Sequence, residues 1–368
     1  MAYTEKYVTD TGAGTHDGTS EANAWSWAEM LTNQVPGERA NVKGNITASA
    51  LSTSIWSNAS SGTRTSPFGL RGYVSTIGDL AGGSRSNNSG ALSGAFPVVS
   101  NAVASGAGFQ LPEFCDFSNI EFKTTNTTSA ILLGQTGQNY GFVYDCKLTV
   151  EGGGYAFSAN SRNKNISNCD IDNAGSSTKS MVIASRANVA YCRLTNSGGA
   201  AATGINLFSQ QPSSIVGCQI IDYPTAIEIE NVTSVDIVDN SARNCSTFLE
   251  MKDSTASATV VNNLAWGNNA AGSEFFLGTT TVASLLQNNA YGNFATANSN
   301  RGDWPEFNKI TITGDPFNSA SDLRLNDTAG AGAAVKGQGI NGNDIGAIQA
   351  TAAAAAGVYP AQIQTFGL

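Results

Sequence analysis

The 368-residue chain contains a single histidine, His16. One imidazole excludes a metal centre built on several histidines. Charged residues make up 13% of the chain, about half the ~25% usual for globular proteins. Basic residues are the scarcer kind: 19 Lys and Arg stand against 28 Asp and Glu, for a net charge of -9. That balance, with no basic cluster, argues against nucleic acid and against an anionic membrane surface as partners. No run of 18 apolar residues occurs, so no membrane-spanning segment is expected. The opening Met1-Ala2-Tyr3-Thr4-Glu5-Lys6 has no apolar signal core. The expectation is a protein made in the cytoplasm and released, if at all, without a Sec-type signal, for instance within a particle at lysis.

Six cysteines are present, and four of them set the pattern of the chain. They close near-copies of one short phrase: Val143 to Leu148 around Cys146, Ile166 to Ile171 around Cys169, Val189 to Leu194 around Cys192, and Ile215 to Ile220 around Cys218. The phrase reads apolar, two residues, Cys, one residue, apolar. The same frame continues with Asn in the Cys slot at Ile237/Asn240/Ala242, Val260/Asn263/Ala265 and Leu286/Asn289/Tyr291, and starts earlier at Phe117/Ile120/Phe122. These are eight copies at intervals of 22 to 26 residues. A fixed period in this range marks a repeat architecture. Helical repeats need ten or more residues of 3.6 periodicity, which the coils lack.

A second apolar pair follows most copies: Tyr155/Phe157, Met181/Ile183, Ile205/Leu207, Ile227/Ile229, Leu249/Met251 and Phe275/Leu277. An i, i+2 pair puts both side chains on one face of a strand. Each repeat therefore carries at least two short strands with inward apolar residues, stacked repeat on repeat at about 4.8 Å. This predicts an all-β chain folded as a parallel β-helix. The three-residue step from the first apolar residue to Cys or Asn requires a bend there, and stacked Asn amides suit such a bend. The cysteines are expected as buried free thiols filling the interior. No metal site and no cofactor are expected, because the ladder Cys stand singly and not as Cys-x-x-Cys.

Residues 1–44 are expected as an N-terminal cap. Tyr7-Val8-Thr9 reads as a strand, and Ala22 to Asn33, with Ala24, Trp25, Ala28 and Leu31 at helical spacing, reads as an amphipathic helix capped by Ser20 or Asn23 and stopped by Pro36-Gly37. Residues 45–116 are rich in Ser, Gly and Ala and read as irregular first coils with long loops. Residues 117–300 are the regular coils, and 301–349 a closing segment. Residues 350–368 are an Ala-rich linker and an apolar, uncharged tail. Within that tail Tyr359, Ile363, Phe366 and Leu368 are the candidate partner-binding residues.

The run Lys6-Tyr7-Val8, Thr15-His16-Asp17-Gly18-Thr19-Ser20, Ala24-Trp25 and Pro36-Gly37-Glu38-Arg39-Ala40-Asn41-Val42 resembles the opening of right-handed parallel β-helix proteins related to pectate lyases, a family met in bacteria and in tailed phages. Arg71-Gly72-Tyr73 with Gly78-Asp79, and Asp315-Pro316-Phe317, Asp322-Leu323-Arg324-Leu325 and Asn343-Asp344-Ile345-Gly346-Ala347, are similar to that family's first-coil loop and closing segment. Gly44-Asn45-Ile46 departs from the family's usual Gly-Thr-Tyr turn. The resemblance implies a right-handed helix, here of about ten coils with an N-terminal capping helix.

Beside a host-produced carbohydrate-binding or adhesin module, two function classes come first. One is a structural virion protein of a tailed phage, a head decoration, fibre or spike component, expected to be a homotrimer joined to other virion proteins through its tail or its cap. The other is a polysaccharide-degrading lyase or hydrolase, a tailspike depolymerase acting on cell-surface polysaccharide. Polygalacturonase-type sites carry a Gly-His-Gly, absent here, and His16 reads as a turn residue. Lyase-type sites need carboxylates for Ca²⁺ and a positioned Arg on one outer face. Asp170 and Asp172 with Arg193 one coil on form one candidate set. Glu228, Glu230, Asp236 and Asp239 form the other. Glu228 and Glu230 flank inward Ile227 and Ile229, so they are expected side by side in solvent, about 7 Å apart, a spacing that suits glycoside hydrolysis. No Lys or Arg is expected beside them, and no catalytic motif is recognised.

Overall fold

The structure is a computed structural model, and it describes residues 3–47, 62–80, 91–92, 94–101, 109–112, 114–124, 132–134, 141–159, 164–176, 179–183, 186–199, 201–208, 212–252, 257–278, 283–299 and 306–346. Among the described residues the strands sort into three parallel sheets of 13, 11 and nine strands. Each repeat contributes one strand to each sheet in turn, so nine coils carry all three. Lys164–Ser167, Asp170–Asn173 and Lys179–Ile183 are one such coil.

The two apolar residues of each phrase line the interior on either side of a corner. On the 13-stranded first sheet the inward row runs Leu70, Phe117, Val143, Ile166, Val189, Ile215, Ile237, Val260, Leu286. On the 11-stranded second sheet it runs Val99, Phe122, Leu148, Ile171, Leu194, Ile220, Ala242, Ala265, Tyr291. The bend between them is a single left-handed residue, with φ between 50° and 64°: Asn119, Asp145, Asn168, Tyr191, Gly217, Asp239, Asn262 and Asn288. Asn, Asp and Gly tolerate this region best. The Cys or Asn that follows then points inward.

All six cysteines are buried, and none is in a disulfide. Cys115, off the corner ladder, is also buried. In the later coils the corner ladder is polar and fully bonded. Asn240 Nδ2 donates to Asn263 Oδ1 at 3.0 Å, Asn263 Nδ2 to Asn289 Oδ1 at 3.0 Å, and the Cys218 N–H to Asn240 Oδ1 at 2.8 Å. Each amide thus satisfies backbone groups that a bend in the chain leaves without ladder partners.

The nine-stranded third sheet stacks Phe157, Met181, Ile205, Ile227, Leu249 and Phe276. At both ends this register differs from the expected pairs. Phe157, not Tyr155, opens the pair in its coil. Phe276 replaces Phe275, because Phe275 occupies an aromatic stack with Phe248 at 4.8 Å and Tyr291 at 4.1 Å.

The N-terminal cap helix is shorter than its periodicity suggests. It spans Trp27–Asn33 and buries Trp27, Met30 and Leu31. Trp25–Ser26 instead pairs with Val8 and Thr9 as a parallel strand, and Glu21–Asn23 forms a 3-10 turn. The cap residue is Ser26, not Ser20 or Asn23. Its hydroxyl accepts the Glu29 N–H, and Glu29 bonds back to the Ser26 N–H, a reciprocal capping box. Ladder pairing of Trp25 outweighs the helical preference of Ala22 to Ser26.

After the last short strand, Ile310–Thr311, the chain turns back over the outer side of the second sheet. Ile312, Phe317, Leu323, Val335 and Ile345 pack there against Ile221, Leu264 and Ala290. Arg243 anchors this segment through Asp315 at 2.9 Å. The tail with Tyr359, Ile363, Phe366 and Leu368 lies outside the described residues.

Candidate functional site on the third sheet

Glu228 sits on the outer side of strand Thr225–Glu230, between inward Ile227 and Ile229. Contrary to expectation it does not stand in solvent: it is only 4% exposed. Two lysines close over it, where none was expected. Lys179 Nζ lies 2.7 Å from Oε1, and Lys252 Nζ lies 2.7 Å from Oε2. Asn206 Nδ2 donates to Oε1 at 2.6 Å, and Thr203 Oγ1 to Oε2 at 3.4 Å.

These partners come from neighbouring coils on both sides of Glu228. Asn206, Glu228 and Glu250 share one outward row. Lys179 starts its strand two coils before Glu228, and Lys252 follows Met251 one coil after. The lysines were missed because neither occupies the same slot as Glu228; each reaches it along the stack. Glu250 could have been found, since Leu249 and Met251 flank it as Ile227 and Ile229 flank Glu228.

Glu230 lies at the rim, 3.6 Å from Lys179 and 3.5 Å from Lys252. Burial alone would raise the Glu228 carboxyl. The hydrogen bonds around it, those from Lys179 and Lys252 among them, outweigh burial and hold it at about 2. Glu250 is shifted the other way, raised chiefly by its burial. For Lys252, burial works against the charged form, but the Glu228 bond prevails and its ammonium is strengthened. The centre is therefore a carboxylate locked between two ammoniums, next to a carboxyl that holds its proton more firmly than usual.

The other candidates are not gathered here. Asp236 is exposed on the first sheet, and Asp239 is a left-handed corner residue. Asp170, Asp172 and Arg193 do share the outer side of the second sheet, with Asp170 opposite Arg193. That side is covered. The Leu92 N–H bonds Asp170, Thr195 and Ser197 hydroxyls bond Asp172 at 2.7 Å each, and Arg193 reaches the Ser321 carbonyl at 3.5 Å. His16, with φ 57°, is a turn residue whose Nδ1 lies 2.8 Å from Glu29 Oε2 in the cap. Among the described residues no three His, Cys, Asp or Glu side chains gather closely enough to hold a metal ion.

Residues 129–295 match the family described as a right handed beta helix region. Two solved structures share the fold over most of both chains. A rhamnogalacturonan lyase is 12% identical, with a TM-score of 0.58 over 86% of this chain and 90% of that one. The pectate lyase Pel9A is 12% identical, with a TM-score of 0.54 over 94% and 96%. No curated protein matches the chain in sequence. The fold is a right-handed parallel β-helix, shared with these two lyases. At this identity the likeness is one of fold, and function rests on the site.

Proposed function

We propose that this chain is a structural β-helix of a tailed-phage virion, a rigid rod serving as head decoration, fibre or spike component. The observation that carries the reading is the state of Glu228. A carboxylate with two ammoniums at 2.7 Å and a pKa of about 2 has no proton to give and no free lone pair aimed at a substrate. It fits a clamp that ties four consecutive coils together. The reading implies a homotrimer, attached to other virion proteins through the cap or the tail, and the resemblance of the opening to a β-helix family met in bacteria and in tailed phages is in keeping with it.

One observation favours a second reading, a polysaccharide lyase or hydrolase. Neighbouring carboxyls pushed in opposite directions are the usual arrangement of an acid and its partner, and Glu228 and Glu250 stand directly opposite each other on adjacent strands. The fold shared with two lyases is in keeping with it. One experiment separates the two. The full chain is incubated with a panel of acidic and neutral cell-surface polysaccharides, and new chain ends are counted, while light scattering gives its solution mass. A trimer that cleaves nothing supports the structural reading. Cleavage lost in Glu228→Gln and Glu250→Gln overturns it.

A further inference from the structure

One inward row of the first sheet is interrupted by an amine. At the start of successive strands Phe68, Cys115, Gly141, Lys164 and Ala187 follow one another in register. Lys164 is buried, and among the described residues its Nζ has no hydrogen-bond partner. Its side chain leans back over Gly141. From the place a Cβ would take on that glycine, Lys164 Nζ lies at 2.9 Å, Lys164 Cδ at 3.0 Å and Cys115 Sγ at 3.0 Å. With both so close to one point, the amine and the thiol stand within about 6 Å of each other.

Gly141 is needed there for space. Its φ is not left-handed, so its backbone does not call for glycine, and a glycine inside a strand otherwise marks a close approach. Any side chain on it would stand between the two groups. The ladder thiols are placed differently: Cys146, Cys169 and Cys192 each donate to the carbonyl two residues before, at 3.3, 3.2 and 3.5 Å. Around Cys115, burial pushes the thiol up, and Lys164 is the largest influence in the opposite direction. All three residues open their strands, Cys115–Ser118, Gly141–Tyr144 and Lys164–Ser167. The pair therefore lies at a corner of the coil, where local opening lets small solutes in.

We infer that Cys115 and Lys164 form a modification site at which a peroxide joins them through one oxygen atom, as an Nζ–O–Sγ bridge. In the first step the sulfur attacks hydrogen peroxide. The S–O bond forms, the O–O bond breaks, and the thiol proton passes by way of the Lys164 amine to the departing hydroxide, leaving a sulfenic acid and water. In the second step another peroxide takes one hydrogen from the free amine and one from the sulfenic acid. The N–O bond forms, the peroxide O–O bond breaks, and two waters leave. Sulfur and nitrogen are each oxidised by two electrons, and each peroxide accepts two. The bridge ties the coils of Cys115 and Lys164 together across the coil of Gly141. It does not depend on the function proposed above.

Peptide mass spectrometry of the reduced full chain, before and after hydrogen peroxide, tests the inference. The expected product is a Cys115 peptide linked to a Lys164 peptide, heavier than the two together by about 14 Da, one oxygen more and two hydrogens fewer. Dithiothreitol is expected to part them again. The linkage is expected to be lost in Lys164→Met and in Cys115→Ser, each checked for folding by thermal melting. A wild type that gives no linked pair overturns the inference whether or not the variants fold. So does oxidation that ends on Cys115 as sulfinic or sulfonic acid with Lys164 unmodified, and so does a linked Cys115 peptide that persists in folded Lys164→Met.

Discussion

Lys179 Nζ lies 2.7 Å from Glu228 Oε1, although the two residues belong to coils two repeats apart. Lys252 meets the other oxygen of the same carboxylate from the next coil at 2.7 Å. One buried carboxylate thus joins three levels of the stack, with Asn206 supplying the fourth. In a solenoid, where each repeat otherwise contacts only its neighbours, such a link resists the parting of coils.

Glu228→Gln is therefore expected to destabilise the fold by about 1–3 kcal/mol. That is less than the 3–5 kcal/mol typical of a broken buried ion pair, because both lysines keep partial contact with solvent. The pH dependence has a definite sign. The folded carboxyl, at about 2, lies below its ordinary value of 4.5. Its contribution is complete above about pH 5 and is lost as pH falls toward 2. Thermal melts of wild type and Glu228→Gln across that range should converge at the acid end.

Asp239 carries the opposite prediction. Burial raises its carboxyl from 3.8 to about 6, against the opposing bond from Asn262. Its neutral form is the one the fold prefers, so stability declines as pH rises from about 4 to about 6. Asn262 and Asn288 hold the same left-handed corner one and two coils on. Asp239→Asn should keep the turn, gain about 1–2 kcal/mol at neutral pH and flatten the melting profile between pH 4 and 6. An unchanged melting point at pH 7 would contradict this.

Lys164 is an anomaly inside the coil. It is 1% exposed, and among the described residues its Nζ has no hydrogen-bond partner. It lies across Gly141, where a Cβ would stand 2.9 Å from that nitrogen and 3.0 Å from Cys115 Sγ. Burying a donor without a partner costs about 1–3 kcal/mol. Lys164→Met, of similar length, should raise the melting temperature. A fall would mean that the amine is held by an interaction such as an internal water.

The Asn corner ladder predicts a loss. Asn263 donates to the Ile237 carbonyl at 2.9 Å and to Asn289 at 3.0 Å, and accepts from the Asn240 backbone and side chain at 3.0 Å each. Asn263→Ala strands several of these buried groups and should cost about 3 kcal/mol or more. Asn263→Cys, which restores the residue type of Cys218 in the same slot, should cost less. Urea midpoints of the two variants decide the order.

The period of the Cys and Asn phrases made the stacking, the inward rows and the corner legible in the sequence, because a solenoid repeats one local solution. The cap helix was legible only in part. Trp25 satisfies both a helical stripe and a strand beside Val8, and only the ladder decides between them. The site was half legible. Alternation placed Glu228 on the outer side of its strand, but outward does not mean solvated when side chains from other coils reach over it. Lys179 and Lys252 meet Glu228 through side-chain length and a bend in the strand, neither of which a register of apolar pairs records.

The most direct test of the structural reading is the rate at which the full chain cleaves cell-surface polysaccharides, measured across an acidic and neutral panel and repeated with Glu228→Gln. A structural rod should show no cleavage above the uncatalysed background with either protein, together with a lower melting temperature for the variant. Cleavage of any member of the panel by the wild type, abolished in a folded Glu228→Gln, would contradict it and make the Glu228 cluster an active site.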